Sequence, residues 1–304
     1  MAELSGEFVA FRVFERQLKT FVGFYEPASH ESGFFIGTKP SLAGRFDGES
    51  LVPHKRQNQV RYFVVYRYMN REYHRGYSQE LHRDMEALVF GHGGSPLLVF
   101  PTSMGKFFEY EDRGMIGVLA GKIDNGELQV FCPDAVDTES WYNKSVHPRQ
   151  RVMRHLQFER YILHEFLPFV RWKNKSPKLA VTGCSFGGYQ AVNFSLKHPD
   201  IVTHCVAMSG AYDIHQFLDG YYDDDCYFNC PVDYLPNTND DWFLSRYRQM
   251  QIVLGSAHWD MCLDQNVKLS GMLHQKGVPH WLDVWGDDLK HDWPLWLRMA
   301  GKYF

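Results

Sequence analysis

Lys178 to Gly188 reads KLAVTGCSFGG. A strand-like run, Leu179 to Thr182, leads directly into Gly183-Cys184-Ser185-Phe186-Gly187, and a helix-like run follows from Gly187 to Lys197. A serine between glycines at a strand-to-helix junction marks a sharp turn that strains the serine backbone and exposes its hydroxyl. Only small residues fit beside such a turn. Gly183 and Gly187 meet that need, and Gly188 leaves room for the helix to pack. The turn also aims the Ser185 hydroxyl and the Phe186 N–H at one open edge of a sheet. The G-x-S-x-G string alone is weak, and a glycine-rich turn without a catalytic serine is the alternative. The strand before it and the helix after it give it meaning.

Outward from this turn, short apolar strands alternate with helices. Strand patterns fall at Val60 to Met69, Met85 to Phe90, Pro96 to Phe100, Leu128 to Cys132, Val202 to Ser209, Ile252 to Leu254 and Trp281 to Trp285. Helical spacing marks about 107–121, 150–173, 187–197, 263–275 and 293–299, with Pro168 bending or ending the second of these. Such alternation predicts βαβ crossovers and an α/β fold, a mostly parallel central sheet flanked by helices. Two early antiparallel strands make the sheet mixed. One catalytic domain over 59–304 is the economical division. Residues 1–58 differ in texture, with strand-like runs at Phe8 to Glu15, Thr20 to Tyr25 and Gly33 to Gly37 and a turn at Asp47-Gly48. They read as a β-rich N-terminal extension of unassigned role. Residues 219–248 break the rhythm and predict a pocket wall or lid.

A serine hydroxyl needs a base, and the base a carboxylate to orient it. With the serine on a strand-to-helix turn, the partners follow in the order serine, acid, histidine. Gln251 to Gly255 is a strand followed by Ser256-Ala257-His258-Trp259-Asp260, and the last strand is followed by GDDLKHDW with His291. These place Asp260 as acid and His291 as base. Asp264, one helical turn on, is the rival acid. Asp287 and Asp288 follow the wrong strand and read as solvated turn residues. His258, His274 and His280 are weaker bases. The developing oxyanion needs a second N–H beside that of Phe186. The loop after the third strand, Pro101-Thr102-Ser103-Met104-Gly105, offers the N–H of Met104, with Ser103 next, and an ordinary loop is the alternative.

Composition narrows the classes. The chain has 304 residues, 44% hydrophobic and 22% charged, which excludes a disordered or collagen-like chain. A net charge of -4 carries no basic footprint for nucleic acid. No apolar run approaches the roughly 18 residues that cross a bilayer. The start, MAELSGEFVAFRVFERQ, lacks the basic, then apolar, pattern of a secretory leader. The expectation is a cytoplasmic protein, or one already processed. The six cysteines read as buried thiols, with a Cys226–Cys230 disulfide the minority reading. His74 and His82, and His147 and His155, are spaced by eight and form no metal motif. Asp223-Asp224-Asp225 lacks the alternation of a calcium loop and reads as a solvated turn. No metal or cofactor is expected. Tyr221, Tyr222, Tyr227, Phe228, Tyr234, Trp242 and Phe243 either line an acyl or aryl pocket or pack the loop. Trp141 faces the same choice.

Ser185 in GCSFGG, the late GxxxxD segment and His291-Asp292-Trp293 resemble the esterase branch of the α/β-hydrolase superfamily, which includes esterase D (S-formylglutathione hydrolase), feruloyl esterase domains and mycolyltransferases. His74 to Met115 is similar to the N-terminal half of bacterial members, and Asn266 to Ser270 matches as well. The resemblance covers about residues 60–304; residues 1–58 match nothing in it. It implies an α/β-hydrolase fold, a triad of Ser185, Asp260 and His291, and oxyanion donors at Phe186 and Met104. It implies a serine carboxylesterase for small or soluble esters. An acyltransferase of the same fold and a non-catalytic binding module are the alternatives. A small-molecule ester is then the partner, with no nucleic acid and no membrane, and a homo-oligomer remains open.

Overall fold

The computed structural model describes residues 12–13, 49–56, 59–66 and 69–304. The chain divides into two compact units, Glu15–Met69 and Met1–Phe14 with Asn70–Phe304. In the smaller, β2 (Glu49–Arg56) and β3 (Gln59–Tyr66) form an antiparallel hairpin, in register from Glu49 opposite Tyr66 to Arg56 opposite Gln59. The β-prone run at Val60 to Met69, expected to open the large domain, therefore pairs locally with its predecessor as far as Tyr66. The strands expected at Thr20 to Tyr25 and Gly33 to Gly37, and the turn at Asp47-Gly48, lie outside the described residues. Within the run expected at Phe8 to Glu15, β1 (Arg12–Val13) pairs antiparallel with β4.

The larger unit is built on a mixed sheet. Its strands are β1, β4 (Arg71–Ser78), β5 (Arg83–Phe90), β6 (Ser95–Phe100), β7 (Leu128–Pro133), β8 (Ala180–Cys184), β9 (His204–Met208), β10 (Gln251–Trp259) and β11 (Trp281–Lys290). Their spatial order is β1-β4-β5-β7-β6-β8-β9-β10-β11. The early antiparallel pair is β4 with β5, and β5 pairs antiparallel with β7. From β7 onward every pairing is parallel. Parallel strands are covered on both faces, which is why β6 and β7 read as apolar runs rather than alternations. All six β7 residues are buried.

The helix expected at about 107–121 is two, α1 (Glu109–Asp112) and α2 (Met115–Asp124), divided at Arg113-Gly114. The long one expected at 150–173 is α3 (Pro148–Tyr161) and α4 (Leu167–Lys173), joined by one wide π-turn at Ile162–Phe166. Pro168 explains the joint. It has no N–H to donate, and its ring would strike the carbonyl four residues back in a regular helix. A wide turn removes both demands. Helix α5 (Phe186–Lys197) lies against β6, β8 and β9.

Residues 219–248 are not one irregular loop. They hold three short helices, α6 (Asp224–Tyr227), α7 (Pro231–Asn237) and α8 (Asp241–Tyr247). Asp223 caps the first, its carboxylate accepting the Cys226 N–H at 2.9 Å. Helices α9 (Leu263–Gln275) and α10 (Trp293–Tyr303) complete the unit. The core holds Phe100, Phe131, Trp141, Phe166 and Tyr189, all almost fully enclosed. Trp141 thus packs the interior, against Phe217 and His155. Among the described residues no helix is long and apolar enough to cross a membrane.

Candidate active site

Ser185 occupies the turn between β8 and α5 with φ 55° and ψ −120°, a left-handed conformation costly for a non-glycine residue. Packing enforces it. A Cβ on Gly183 would run into the Gly187 carbonyl, and one on Gly187 into that of Phe100 at the end of β6. The Ser185 N–H donates to the Met208 carbonyl on β9 at 2.8 Å. The turn is locked to both neighbouring strands, and its hydroxyl stands at the sheet edge, half-buried.

The partners come from the same edge, because β8, β9, β10 and β11 run parallel. His291 directly follows β11 and Asp260 directly follows β10. The Ser185 hydroxyl donates to His291 Nε2 at 2.9 Å, and His291 Nδ1–H donates to Asp260 Oδ1 at 2.7 Å. This tautomer follows from the carboxylate, which can only accept. The Asp260 side chain is fully buried and that of His291 is 16% exposed. Asp260 Oδ1 also accepts the Cys262 N–H at 2.8 Å, and Oδ2 accepts the Ser256 hydroxyl at 3.0 Å. Burial works to raise the Asp260 pKa, but the hydrogen bonds from His291, Ser209 and Cys262 outweigh it and hold the carboxyl below its ordinary range. Trp296 packs edge-on against the imidazole, centroids 5.2 Å apart.

Asp264 lies exposed on α9, and Asp260 holds the imidazole from the turn ahead of that helix. His280 is committed to Ser270 and the Val278 carbonyl. Asp288 pairs with Arg298.

The loop 101–105 corrects one expectation. Three successive residues are each pinned. Glu109 accepts both the Thr102 N–H at 2.9 Å and its hydroxyl at 2.6 Å. The Tyr142 hydroxyl donates to Ser103 Oγ at 2.6 Å. The Met104 N–H, expected to face the oxyanion, donates instead to the buried carboxylate of Asp137 at 3.3 Å. Met104 has φ 57°, which turns its amide inward while its side chain stays half-exposed. Among the described residues the Ser103 N–H has no protein acceptor. The Phe186 N–H opens α5, where a first-turn amide has no acceptor within its own helix.

Four aromatic side chains of 219–248 lie away from the serine. Tyr227, Phe228, Tyr234 and Phe243 line a separate cavity of about 580 Å³ with Leu196, Lys197 and His198. That is the far end of α5, roughly 18 Å from Ser185 at 1.5 Å per residue. Tyr221 packs on His147, Tyr222 stacks on His215, and Arg246 lies over Trp242.

Among the described residues two sets of side chains lie close enough to share a metal ion, Asp213–His215–Cys230 and Asp260–Cys262–His291. In each the histidine is already engaged. Asp213 and Asp233 clasp His215 at 2.6 and 3.3 Å, and Asp260 and Ser185 clasp His291. All six cysteines are free and buried, so Cys226 and Cys230 are not bridged. Burial pushes the Cys262 thiol, beside the triad, up to about 12.

Sequence reading missed the supporting residues Asp137, Glu109, Tyr142, Ser209 and Ser256. Asp137 left no distinct signal, because the stretch after β7 reads Asp134-Ala135-Val136-Asp137-Thr138-Glu139 and carries carboxylates on either side of it.

A family model described as Putative esterase matches residues 113–295. Among curated proteins none gives a significant sequence match. Several solved structures are similar. One is a ferulic acid esterase, 19% identical with a TM-score of 0.64, covering 77% of this chain and 96% of that one. Another is an S-formylglutathione hydrolase from Agrobacterium tumefaciens, 14% identical, TM-score 0.60, covering 77% and 93%. A CE1 ferulic acid esterase from Anaeromyces mucronatus is 13% identical, TM-score 0.58, covering 82% and 91%. The fold is that of the α/β-hydrolases.

Proposed function

Because the chain belongs to the Putative esterase family, we propose that it hydrolyses small or soluble carboxylic esters through an acyl-enzyme on Ser185. The observation that carries this reading is the unbroken chain Ser185–His291–Asp260, at 2.9 and 2.7 Å.

In the first step Ser185 Oγ attacks the ester carbonyl while His291 Nε2 takes the hydroxyl proton. Asp260 keeps the Nδ1 proton in place and stabilises the imidazolium that forms. The carbonyl oxygen becomes an oxyanion, and fixed N–H dipoles hold it without reorganising. Phe186 supplies one. The second falls to Ser103 rather than Met104, since the Met104 N–H is spent on Asp137. His291 then gives its proton to the departing alcohol. In the second step water, deprotonated by His291, attacks the acyl carbon, and collapse of that intermediate returns Ser185 to its hydroxyl form. The residues described need no metal for any of these transfers.

The test is turnover of a chain-length series of p-nitrophenyl esters by the wild type and by Ser185→Ala. Loss of a nucleophile of this kind lowers kcat by about 10⁴-fold or more. Full turnover in Ser185→Ala would sink the assignment. Product analysis with an added alcohol separates hydrolysis from acyl transfer.

A further inference from the structure

Asp137 is a buried charged group that the steps above do not use. It follows β7 and is 3% exposed. Its Oδ2 accepts the Met104 N–H at 3.3 Å, and its Oδ1 accepts the Gln190 side-chain N–H at 2.9 Å. Met104 belongs to the loop carrying Ser103, and Gln190 lies on α5, which begins at Phe186. One carboxyl therefore ties together the two segments that carry the oxyanion donors. Its own backbone is fixed too, its carbonyl accepting the Tyr142 N–H at 3.0 Å, and Tyr142 in turn holds Ser103.

We propose that Asp137 is a positioning residue for ester hydrolysis: by claiming the Met104 N–H and bracing it against Gln190, it sets the loop in the form that leaves the Ser103 N–H free for the oxyanion. This rests on the esterase reading above and adds the group that fixes the geometry of its second donor. A donor contributes fully only when it is already aligned as charge develops. A loop with a left-handed residue at Met104 holds that form only if its surroundings over-determine it.

The acidity of the site is consistent with a bridge held in either protonation state. Burial drives the Asp137 carboxyl up to about 7, against the pull of the Met104 and Gln190 N–H groups. Glu109 from α1 and Asp134 from the same loop push in the same direction as burial, and Tyr142 and Tyr189 are the other titratable neighbours. When the carboxyl is protonated, Oδ2 still accepts from Met104. The new O–H on Oδ1 then needs an acceptor. Gln190 Oε1, which has no partner among the described residues, supplies one if the amide turns over. An asparagine at 137 reproduces that neutral arrangement.

The experiment compares Asp137→Ala, Asp137→Asn and Ser185→Ala with the wild type. It measures kcat and KM on a p-nitrophenyl ester, thermal midpoint, and hydrogen exchange of the amides over 102–106. Asp137→Ala is expected to lose about 10²-fold in kcat, the scale of a misplaced oxyanion donor. Its KM is expected to stay within about threefold, and the 102–106 amides to exchange faster. Asp137→Asn is expected to hold kcat within about fivefold and to keep the exchange protection. If the alanine variant does not fold, Asp137→Leu keeps the branched shape, though bulkier, without an acceptor and gives the same readings. Full kcat and unchanged exchange in the Ala or Leu variant, with Ser185→Ala inactive, would overturn the positioning role and leave the esterase reading standing. Turnover surviving in Ser185→Ala would overturn both.

Discussion

The His291 imidazole can take a proton from Ser185 only through an unprotonated Nε2, so its own proton must sit on Nδ1. Asp260 Oδ1, 2.7 Å away, secures that tautomer. Asp260→Asn keeps the shape but can present an N–H to the same nitrogen, which favours the wrong tautomer. The expected loss in kcat is on the order of 10³–10⁴, by analogy with the same change in a serine protease. Steady-state kinetics with a matched circular-dichroism spectrum check it, and a loss below tenfold would remove Asp260 from the role. At this scale the sequence was informative where chain order does the specifying. Ser185, Asp260 and His291 each follow a recognisable strand, and the structure brings those three together. Asp260 was already the preferred acid, and its rival Asp264 lies on α9, which begins at Leu263. Met104 illustrates the limit. Counting residues past a strand gives position, but the direction of an amide is set by φ, and a positive φ at a methionine leaves no mark in the pattern.

At the level of elements, the elbow is a three-way fit of β8, α5 and the end of β6. Gly187→Ala puts a methyl group into the Phe100 and Pro101 carbonyls, so β6 or α5 must move. The expected result is a loss of stability above about 2 kcal/mol together with loss of turnover. Gly271→Ala is the control, since a Cβ there, on α9, meets nothing within 4 Å. It is expected to stabilise by about 0.5–1 kcal/mol through helix propensity alone. Urea unfolding of both variants checks the pair, and equal behaviour would count against the close approach at the elbow. Most strands of the parallel half were legible as short apolar runs, because burial on both faces removes polar positions. The fate of Val60 to Met69 was not legible. A β-prone run states that it will pair, not with which neighbour, and a preceding strand two residues away closes at the least entropic cost. The short helices of 219–248 were hidden for another reason. They are too brief for periodicity, and α7 contains Pro236, an ordinary helix breaker.

One buried carboxyl and one largely buried carboxyl set opposing pH responses for the molecule as a whole. Asp137 titrates at about 7 rather than 3.8, so between those values the folded chain binds more protons than the unfolded one. Stability therefore falls as pH rises through that window, by an amount on the order of 4 kcal/mol in full. Glu159 behaves the other way. Burial opposes its charge, but hydrogen bonds from His198 and Lys197 and the Lys197 charge hold it at about 2, below 4.5. Its contribution, on the order of 3 kcal/mol, is present above 4.5 and lost as pH falls toward 2. Urea unfolding across pH 3–9 is expected to show Asp137→Asn flattening the upper limb and Glu159→Gln the acid limb. Parallel curves for wild type and variants would refute both assignments. The strand order has a consequence in time. Leu97 of β6 pairs with Ala180 of β8, although the whole segment between them must fold or be bypassed before they meet. The segment that follows β6 therefore reaches the turn at Ser185 through one of the longest chain closures in the sheet, and contacts of that kind form late. On dilution from denaturant, helical signal is expected to return in a faster phase than catalytic competence, so that the last property the chain acquires is the alignment of loop 101–105 with its serine.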